Sequence, residues 1–219
     1  LKKDFREVLG LGTMIVPTIV EVEQFSFTER NAFRPKLIIA RNLEPIYDIP
    51  CAILAFQIIA ETYDDAFLTI VGDGSQKRRL ESLVRDLQLQ KKVRFFGQQP
   101  HEQMQRLYKD HHILVNTSKV DNLPGVILEA FACGLPVVST NAGGIPFIVK
   151  NEITGLLSNI GDHTALARNI SRIIEEPELG QALAREGRRE TKKYSWEQIG
   201  PLLKEIFQRV NSKNKQGIS

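Results

Sequence analysis

The sequence has little cysteine and no long hydrophobic run. Its 219 residues include two cysteines, Cys51 and Cys133, which excludes a disulfide scaffold and is more typical of a reducing compartment. No apolar run reaches the roughly 18 residues that a membrane-spanning helix needs. The chain begins with Leu1 rather than Met, so we expect either a processed protein or a part of a longer one.

An excess of one charge is also lacking. The 29 Lys and Arg residues face 26 Asp and Glu residues, which gives a formal net charge of +3. This small balance does not favour a nucleic-acid-binding protein, in which basic residues cluster on one face. The hydrophobic fraction of 42% and the charged fraction of 25% are those of an ordinary globular protein, and the length suffices for one sizeable core.

Several common motifs of catalysis and binding are missing. The sequence has no G-x-x-x-x-G-K-[ST], no G-x-S-x-G and no complete G-x-G-x-x-G, which argues against a P-loop enzyme and an α/β-hydrolase. His101-Glu102 begins like a zinc-protease motif, but Gln105 stands where the second histidine would be. We therefore expect no metal site, and we interpret the four histidines as surface or strand-edge residues.

Short β-branched runs alternate with helical patterns from residue 36 onward. The predicted strands are Lys36–Ala40, Phe67–Gly72, Val93–Gly97, Ile113–Asn116, Leu135–Ser139 and Gly155–Leu157. The predicted helices between them are Cys51–Tyr63, Gln76–Leu87, Glu102–Asp110 and Pro124–Cys133. This alternation predicts an α/β fold with a doubly wound, Rossmann-like parallel sheet.

After residue 160 the pattern turns helical. We predict helices over Asp162–Glu175, with Asp162 near the N-cap, over Glu178–Tyr194 and over Trp196–Val210. Near the start, Asp4–Leu9 fits a short helix and Thr13–Val20 an extended stretch.

The segment after the predicted strand Ile113–Asn116 carries the most information. Pro124 suits the first position of a helix, and the amides of Gly125 and Val126 would then form an anion site suited to a diphosphate. Asp121 and Glu129 flank them. From the residues alone, two interpretations stay open. The carboxylates bind ligand hydroxyls, or Glu129 pairs with a nearby Lys or Arg and Asp121 helps to cap the helix.

The segment closely resembles the E-x7-E signature of the family 4 retaining glycosyltransferases, which have the GT-B fold. Here Asp121 is the first acid and D-N-L-P a variant of the family pattern. Further matches follow in the family's order, and the resemblance covers roughly residues 13 to 210. These matches are L-T-I-V-G-D-G at 68–74, V-R-F-F-G at 93–97, T-N-A-G-G-I-P at 140–146, T-G-L-L at 154–157 and Ser195-Trp196.

The resemblance implies a role for each matching residue. Glu129 would bind the ribose hydroxyls of a nucleotide, Asp121 would contact the transferred sugar, and Arg41 would neutralise the diphosphate as it leaves. These three are the predicted catalytic residues. The predicted binding residues are the Asn122 and Leu123 backbone beside the sugar, the Gly125 and Val126 amides at the diphosphate, and Gly72, Gly97 and Gln98 around the nucleobase. Each has a structural alternative, such as a strand-end glycine or an ion pair of Arg41.

Three residues depart from the family pattern. Tyr47 stands near the place of a second phosphate-binding cation, usually Lys. Phe147 follows G-G-x-P, where an acidic residue is frequent. Asp121 is one methylene shorter than the usual Glu.

The resemblance also implies a division of the chain. Residues 1–24 would be the end of a missing N-terminal acceptor domain and a linker, 25–195 the donor-binding domain, and 196–219 a helix that crosses back, with a tail. That helix would turn an apolar face towards the missing domain, unless it packs on its own domain. The face comprises Trp196, Ile199, Leu202, Leu203 and Ile206.

We therefore expect the donor-binding part of a retaining hexosyltransferase that uses a UDP- or GDP-sugar and no metal. The acceptor would be a glycan or a lipid-linked molecule held by the missing domain. The resemblance implies a cytoplasmic protein and leaves room for peripheral association of the full-length protein with the membrane. Two alternatives are a split subunit that is inactive without an acceptor subunit, and a nucleotide-sugar epimerase.

Overall fold

The computed structural model of the protein describes residues 19, 21 and 24–216. Its contacts divide the chain into two compact units. One unit is Val22–Thr191, and the other combines Lys192–Ser219 with Leu1–Glu21. The helix expected at Asp4–Leu9 and the extended stretch at Thr13–Val20 lie outside the described residues, apart from Ile19.

The larger unit is built on a six-stranded sheet in the order β3-β2-β1-β4-β5-β6, and all its neighbours are parallel. The strands are β1 (Lys36–Ala40), β2 (Phe67–Val71), β3 (Val93–Gly97), β4 (Ile113–Asn116), β5 (Val137–Thr140) and β6 (Leu156–Ser158). The prediction of a doubly wound parallel sheet is confirmed.

Helices connect the strands and cover the sheet. They are α1 (Ile49–Thr62), α2 (Lys77–Asp86), α3 (His101–Asp110), α4 (Gly125–Ala132), the short α5 (Ile145–Ile148), α6 (His163–Glu175) and α7 (Pro177–Thr191). As predicted, Asp162 is the N-cap of α6, where its side chain accepts a hydrogen bond from the Ala165 amide.

The central strands are buried on both faces. Leu37, Ile38 and Ile39 of β1 are at most 1% exposed although their side chains alternate between the two faces of the sheet. This burial explains why β1 reads as a continuous apolar run rather than as an alternating pattern. Together with α1 and α6, the inner strands form the hydrophobic core.

Two predicted boundaries around α4 are wrong. Pro124 is the N-cap, with an extended ψ of 110°, and the helix begins at Gly125. At the other end, Gly134 takes a positive φ of 75°, and the Leu135 amide bonds back to the Ala130 carbonyl. Leu135 therefore belongs to the end of the helix, and β5 begins later than predicted, at Val137.

The described part of the second unit is helical. A short 3-10 turn at Lys192–Tyr194 precedes α8 (Trp196–Gln216), which contains Pro201. Ile199 is buried, whereas Trp196 is 64% and Phe207 65% exposed. In the part of the chain that the structure describes, no helix is both long and apolar enough to cross a membrane.

Candidate functional site

The sheet reverses its winding direction between β1 and β4. From β1 the chain proceeds to β2 and β3 on one side, and from β4 to β5 and β6 on the other. Such a reversal leaves a crevice at the carboxyl ends of the two central strands, where open α/β sheets bind their ligands. Arg41 directly follows β1 and Thr117 directly follows β4.

A cavity of about 460 Å³ opens at this edge of the sheet. Its wall includes five of the predicted site residues, which are Arg41, Gly72, Gln98, Val126 and Glu129. The other predicted site residues are not on its wall, although Gly97 and Gly125 directly precede wall residues. The remaining wall residues are Ala40, Asn42, Tyr47, Val71, Gln99, His101 and Met104.

The planar guanidinium group of Arg41 is contacted at its edge and on its face. One Nη atom pairs with the Asp121 carboxylate and donates to the Ser118 hydroxyl over 3.1 Å. The Tyr47 ring covers the guanidinium face. Burial lowers the pKa of Arg41 below its ordinary value, but arginine stays a cation at neutral pH.

The Arg41 guanidinium is not fully satisfied. Its Nε atom is buried and has no hydrogen-bond partner among the described residues. A buried donor without a partner costs free energy. A cation in this condition, on a cavity wall, is suited to bind an anion.

Ser118 connects Asp121 to a buried polar network. Its hydroxyl lies 3.1 Å from Asp121 Oδ2 and 3.0 Å from Asn116 Oδ1, and the Asn116 amide donates to Ser139 Oγ over 2.9 Å. Ser118 and Ser139 are fully buried. The network spans the ends of β4 and β5 and determines where the Asp121 carboxylate lies.

The loop after β5 supports Asp121 from the other side. The Gly144 amide donates to the Asp121 carbonyl over 2.7 Å. A Cβ added to Gly143 would lie 2.1 Å from that carbonyl oxygen, and one added to Gly144 would lie 1.8 Å from the Asn122 oxygen. Both positions therefore require glycine, which explains the G-G pair of the sequence in terms of packing.

Glu129 receives its hydrogen bond from Tyr108, which the sequence analysis did not single out. The Tyr108 hydroxyl donates to Glu129 Oε2 over 2.8 Å. Tyr108 is fully buried on α3, whereas Glu129 is half-buried and lines the cavity. Among the described residues, neither Lys nor Arg pairs with Glu129, so the structural alternative of a basic partner does not hold there.

The first turn of α4 leaves backbone donors for a ligand. The N-cap residue Pro124 makes no side-chain cap, and the Asp121 carboxylate contacts Arg41 and Ser118 instead. The amides of Gly125 and Val126 thus lie at the positive end of the helix dipole. A Cβ at Gly125 would meet no atom within 4 Å, so space remains for a ligand.

The two glycines assigned to the nucleobase differ in their surroundings. A Cβ on Gly72, whose φ is 137°, would lie 1.9 Å from the Arg41 carbonyl oxygen. Gly72 therefore lets the turns after β1 and β2 approach each other. Gly97 also has a positive φ of 67°, but its surroundings are open.

Two histidines show what the sequence analysis missed. The prediction that all histidines are surface or strand-edge residues is wrong for His111, which is 7% exposed and bonds to the Leu107 carbonyl and the Thr69 hydroxyl. His101 lies on the cavity wall, edge-on to Phe25 at a ring distance of 4.6 Å. Neither position carries a motif, because their partners are remote in sequence or on another element.

No cluster of three or more His, Cys, Asp or Glu side chains suited to a metal ion occurs among the residues described. Cys51 and Cys133 are free and buried. Burial raises the pKa of the Cys133 thiol to about 12, so this cysteine is not a nucleophile at neutral pH.

Comparison with known proteins agrees with this geometry. The model of a family described as glycosyl transferases group 1 matches residues 22–190. An N-acetyl-alpha-D-glucosaminyl L-malate synthase of Bacillus anthracis is 28% identical over 183 residues, which are 83% of this chain and 47% of that protein. A D-inositol 3-phosphate glycosyltransferase of Saccharomonospora viridis is 31% identical over 137 residues, 62% of this chain and 32% of that protein.

Solved structures share the fold. A sucrose-phosphate synthase from Thermosynechococcus elongatus superposes with a TM-score of 0.86 at 26% identity, covering 96% of this chain and 56% of that one. Anabaena HepE in complex with UDP superposes with a TM-score of 0.80 at 20% identity, covering 90% and 58%. The chain thus spans about half the length of these relatives or less.

Proposed function

The chain belongs to the glycosyl transferases group 1 family, and we propose that it forms the donor-binding part of a retaining glycosyltransferase, which transfers a hexose from a nucleotide diphosphate sugar to an acceptor. The observation that best supports this is the presence of Arg41 and Glu129 on the wall of one cavity. A nucleotide diphosphate needs a cation for its phosphates and an acceptor for its ribose hydroxyls, and this cavity offers both.

The roles follow from the geometry. Arg41 exchanges its contact with Asp121 for the diphosphate, whose negative charge grows as the bond to the sugar breaks. The amides of Gly125 and Val126 share that charge at the N terminus of α4. Asp121, released from Arg41, accepts hydrogen bonds from the sugar hydroxyls, beside the backbone of Asn122 and Leu123.

The proposal also covers the nucleobase of the donor, the need for a metal and the cellular compartment. Anabaena HepE has been solved with UDP, so UDP is the first nucleotide to test, with GDP second. Gln98, beside Gly72 and Gly97, faces the base. We propose a metal-free reaction, since Arg41 and the helix N terminus supply the positive charge. We place the protein in the cytoplasm, in agreement with its two free, buried cysteines.

The acceptor belongs to the part of the relatives that this chain does not match. We propose that a second domain binds a glycan or a lipid-linked acceptor, which would bring the full-length protein to a membrane surface. A second candidate is a split subunit. A GPI3 subunit from Saccharomyces cerevisiae is 23% identical over 90% of this chain and 46% of that protein, and its name describes one subunit of an N-acetylglucosaminyltransferase.

Thermal shift with nucleotide diphosphates and their sugars tests donor binding. A ligand at 100 times its Kd stabilises a protein by about 2.7 kcal/mol, so UDP or GDP is expected to raise the Tm. Glu129→Ala should abolish the shift. Glu175→Ala is the matched control, because Glu175 accepts from the Tyr63 hydroxyl, a pair whose residues are not on the cavity wall. If no nucleotide diphosphate raises the Tm of the unaltered protein, the proposal is wrong.

Analysis of the reaction products distinguishes the transferase from the split subunit and from the epimerase. A transferase joins the hexose to an added acceptor, and a split subunit does so only with its partner. An epimerase, the weaker alternative, changes the nucleotide sugar without any acceptor.

A further inference from the structure

The hydrogen bond between Tyr108 and Glu129 joins the interior of the protein to the cavity wall. We propose that Tyr108 is a positioning residue for ribose recognition, because its hydroxyl holds one oxygen of Glu129 and leaves the other oxygen to accept the ribose hydroxyls. This inference rests on the proposed function, since it presupposes that a nucleotide occupies the cavity.

The geometry of the pair supports a division of the two carboxylate oxygens. Tyr108 is 0% exposed and donates to Glu129 Oε2 over 2.8 Å, so a buried hydroxyl already occupies one acceptor position of that oxygen. Glu129 is nevertheless on the cavity wall. The oxygen to which Tyr108 does not donate is therefore the better acceptor for a ligand.

The electrostatics fix which partner donates. Burial raises the pKa of the Tyr108 hydroxyl well above its ordinary value, and the negative charge of Glu129 raises it further. Tyr108 consequently keeps its proton, and it can only donate to the carboxylate. The Glu129 oxygen that Tyr108 does not hold keeps its lone pairs for the hydroxyl donors of a ribose.

A buried arginine keeps the two helices of the pair together. Arg30 donates to the carbonyls of Tyr108 and Lys109 at the end of α3, over 3.0 and 3.1 Å. It also donates to the carbonyls of Cys133 and Gly134 after α4, over 3.4 and 3.1 Å. A cation at two helix C termini is electrostatically favourable. Because α3 carries Tyr108 and α4 carries Glu129, Arg30 fixes the distance between them.

Discrimination between ribose and deoxyribose tests the role of the hydroxyl. Isothermal titration calorimetry with UDP, 2′-deoxy-UDP and 3′-deoxy-UDP gives the affinity for UDP divided by the affinity for each deoxy form, one ratio for each ribose hydroxyl. GDP and its deoxy forms serve as a second set. A hydrogen bond to a carboxylate contributes about 1.5–3 kcal/mol, so the unaltered protein should bind at least one deoxy nucleotide about tenfold more weakly or worse. In Tyr108→Phe this ratio should fall towards unity.

Tyr63→Phe is the matched control. Tyr63 also donates to a glutamate, Glu175, over 2.7 Å, and neither residue is on the cavity wall. The control should keep the ratio of the unaltered protein. A general loss of stability weakens all the nucleotides alike, whereas a change in the ratio requires an altered contact to the ribose.

The outcomes separate the inference from the proposed function. If the unaltered protein binds no nucleotide diphosphate, the proposed function fails, and the inference fails with it. The inference alone is wrong if nucleotides bind and the ratio of UDP to deoxy-UDP affinity is the same in Tyr108→Phe as in the unaltered protein. It is also wrong if the unaltered protein binds UDP and both deoxy forms equally well.

If Tyr108→Phe does not fold, NMR of the unaltered protein tests whether the Tyr108 hydroxyl responds to the nucleotide. The hydroxyl proton of Tyr108, which is buried and bonded to Glu129, should shift with UDP and not with pyrophosphate. No selective shift would overturn the inference.

Discussion

The guanidinium carbon of Arg41 lies 4.3 Å from the centroid of the Tyr47 ring. Tyr47 stands near the place where the family usually has a second phosphate-binding cation. The aromatic ring carries no charge. Its face attracts and orients the guanidinium cation of Arg41. The Thr117 hydroxyl bonds to the Tyr47 carbonyl over 2.9 Å, which fixes the turn. Near the place of the second cation, this loop thus carries a ring that contacts the guanidinium of Arg41.

The first prediction concerns this ring. Tyr47→Ala should weaken binding of UDP or GDP severalfold, since a cation–π contact contributes about 0.5–2 kcal/mol. Tyr47→Phe should bind much more nearly as the unaltered protein does, because it keeps the ring that covers Arg41. Titration calorimetry measures both. Equal affinities in Tyr47→Ala and the unaltered protein would contradict the role of the ring.

The second prediction concerns Ser118, whose hydroxyl contacts Asp121, Asn116 and Arg41. Ser118→Ala leaves buried polar groups without a partner and should lower the free energy of unfolding by about 1–3 kcal/mol. It should also impair transfer more than nucleotide binding, because the Asp121 carboxylate loses its support. Urea denaturation measures the first effect and a transfer assay with the full enzyme the second.

Ser158→Ala is the control for Ser118→Ala. Ser158 is also buried, but its hydroxyl has no hydrogen-bond partner among the described residues. Its removal should leave the stability unchanged or slightly higher. Equal losses in the two variants would show that burial, and not the polar network, determines the effect.

The sequence predicted the sheet well and the contacts of the site only in part. The bounds of β1, β3 and β4 agree with the prediction, because buried parallel strands read as continuous apolar runs. Glu129 and Arg41 belong to recognisable patterns. Tyr108 does not, because a buried tyrosine on a helix has the same periodicity as any core residue. Its role depends on a partner 21 positions away that only the fold brings near.

The contact of Arg41 with Asp121 also could not be predicted from the sequence, although both residues were named there. Both residues follow parallel strands of the sheet, so the pattern places them at one edge. The sequence left open whether both serve a ligand, or whether Arg41 forms a structural ion pair and Asp121 helps to cap the helix. In the structure they pair with each other, which makes the ion pair the state that a ligand must replace.

The third prediction separates binding from folding at two glycines. Gly125→Ala should fold normally, because its Cβ meets no atom within 4 Å and alanine favours helices by about 1 kcal/mol over glycine. Its methyl group would nevertheless stand where the diphosphate approaches the amides, so nucleotide affinity should fall. Unchanged affinity would mean that the diphosphate does not lie at this helix N terminus.

Gly144→Ala should behave in the opposite way. Its Cβ would lie 1.8 Å from the Asn122 oxygen, so the loop that carries Asp121 must move. Overpacking of this kind costs about 1–3 kcal/mol, measurable as a lower urea midpoint. A normal midpoint in Gly144→Ala would contradict the close packing of the two loops.

The fourth prediction concerns acid. His112 accepts a hydrogen bond from the Arg34 amide at Nδ1, over 3.1 Å. Burial, with the nearby charge of Arg30, lowers the pKa of His112 from 6.5 to about 4. The folded protein therefore binds fewer protons than the unfolded chain between these two values. The contribution of His112 to stability is complete above the unfolded pKa of about 6.5 and is lost as the pH falls towards 4.

His112→Asn tests this dependence without removing the acceptor, because the asparagine side-chain oxygen can accept from the same amide and does not titrate. Its Tm relative to that of the unaltered protein should rise between about pH 7.5 and about pH 4.5. His111 and the carboxylates also titrate, but they are common to both proteins and cancel in the difference. His112→Leu, which removes the acceptor, should be less stable already at neutral pH. If the two Tm curves of His112→Asn and the unaltered protein run parallel from neutral pH into acid, protonation of His112 does not determine the acid sensitivity.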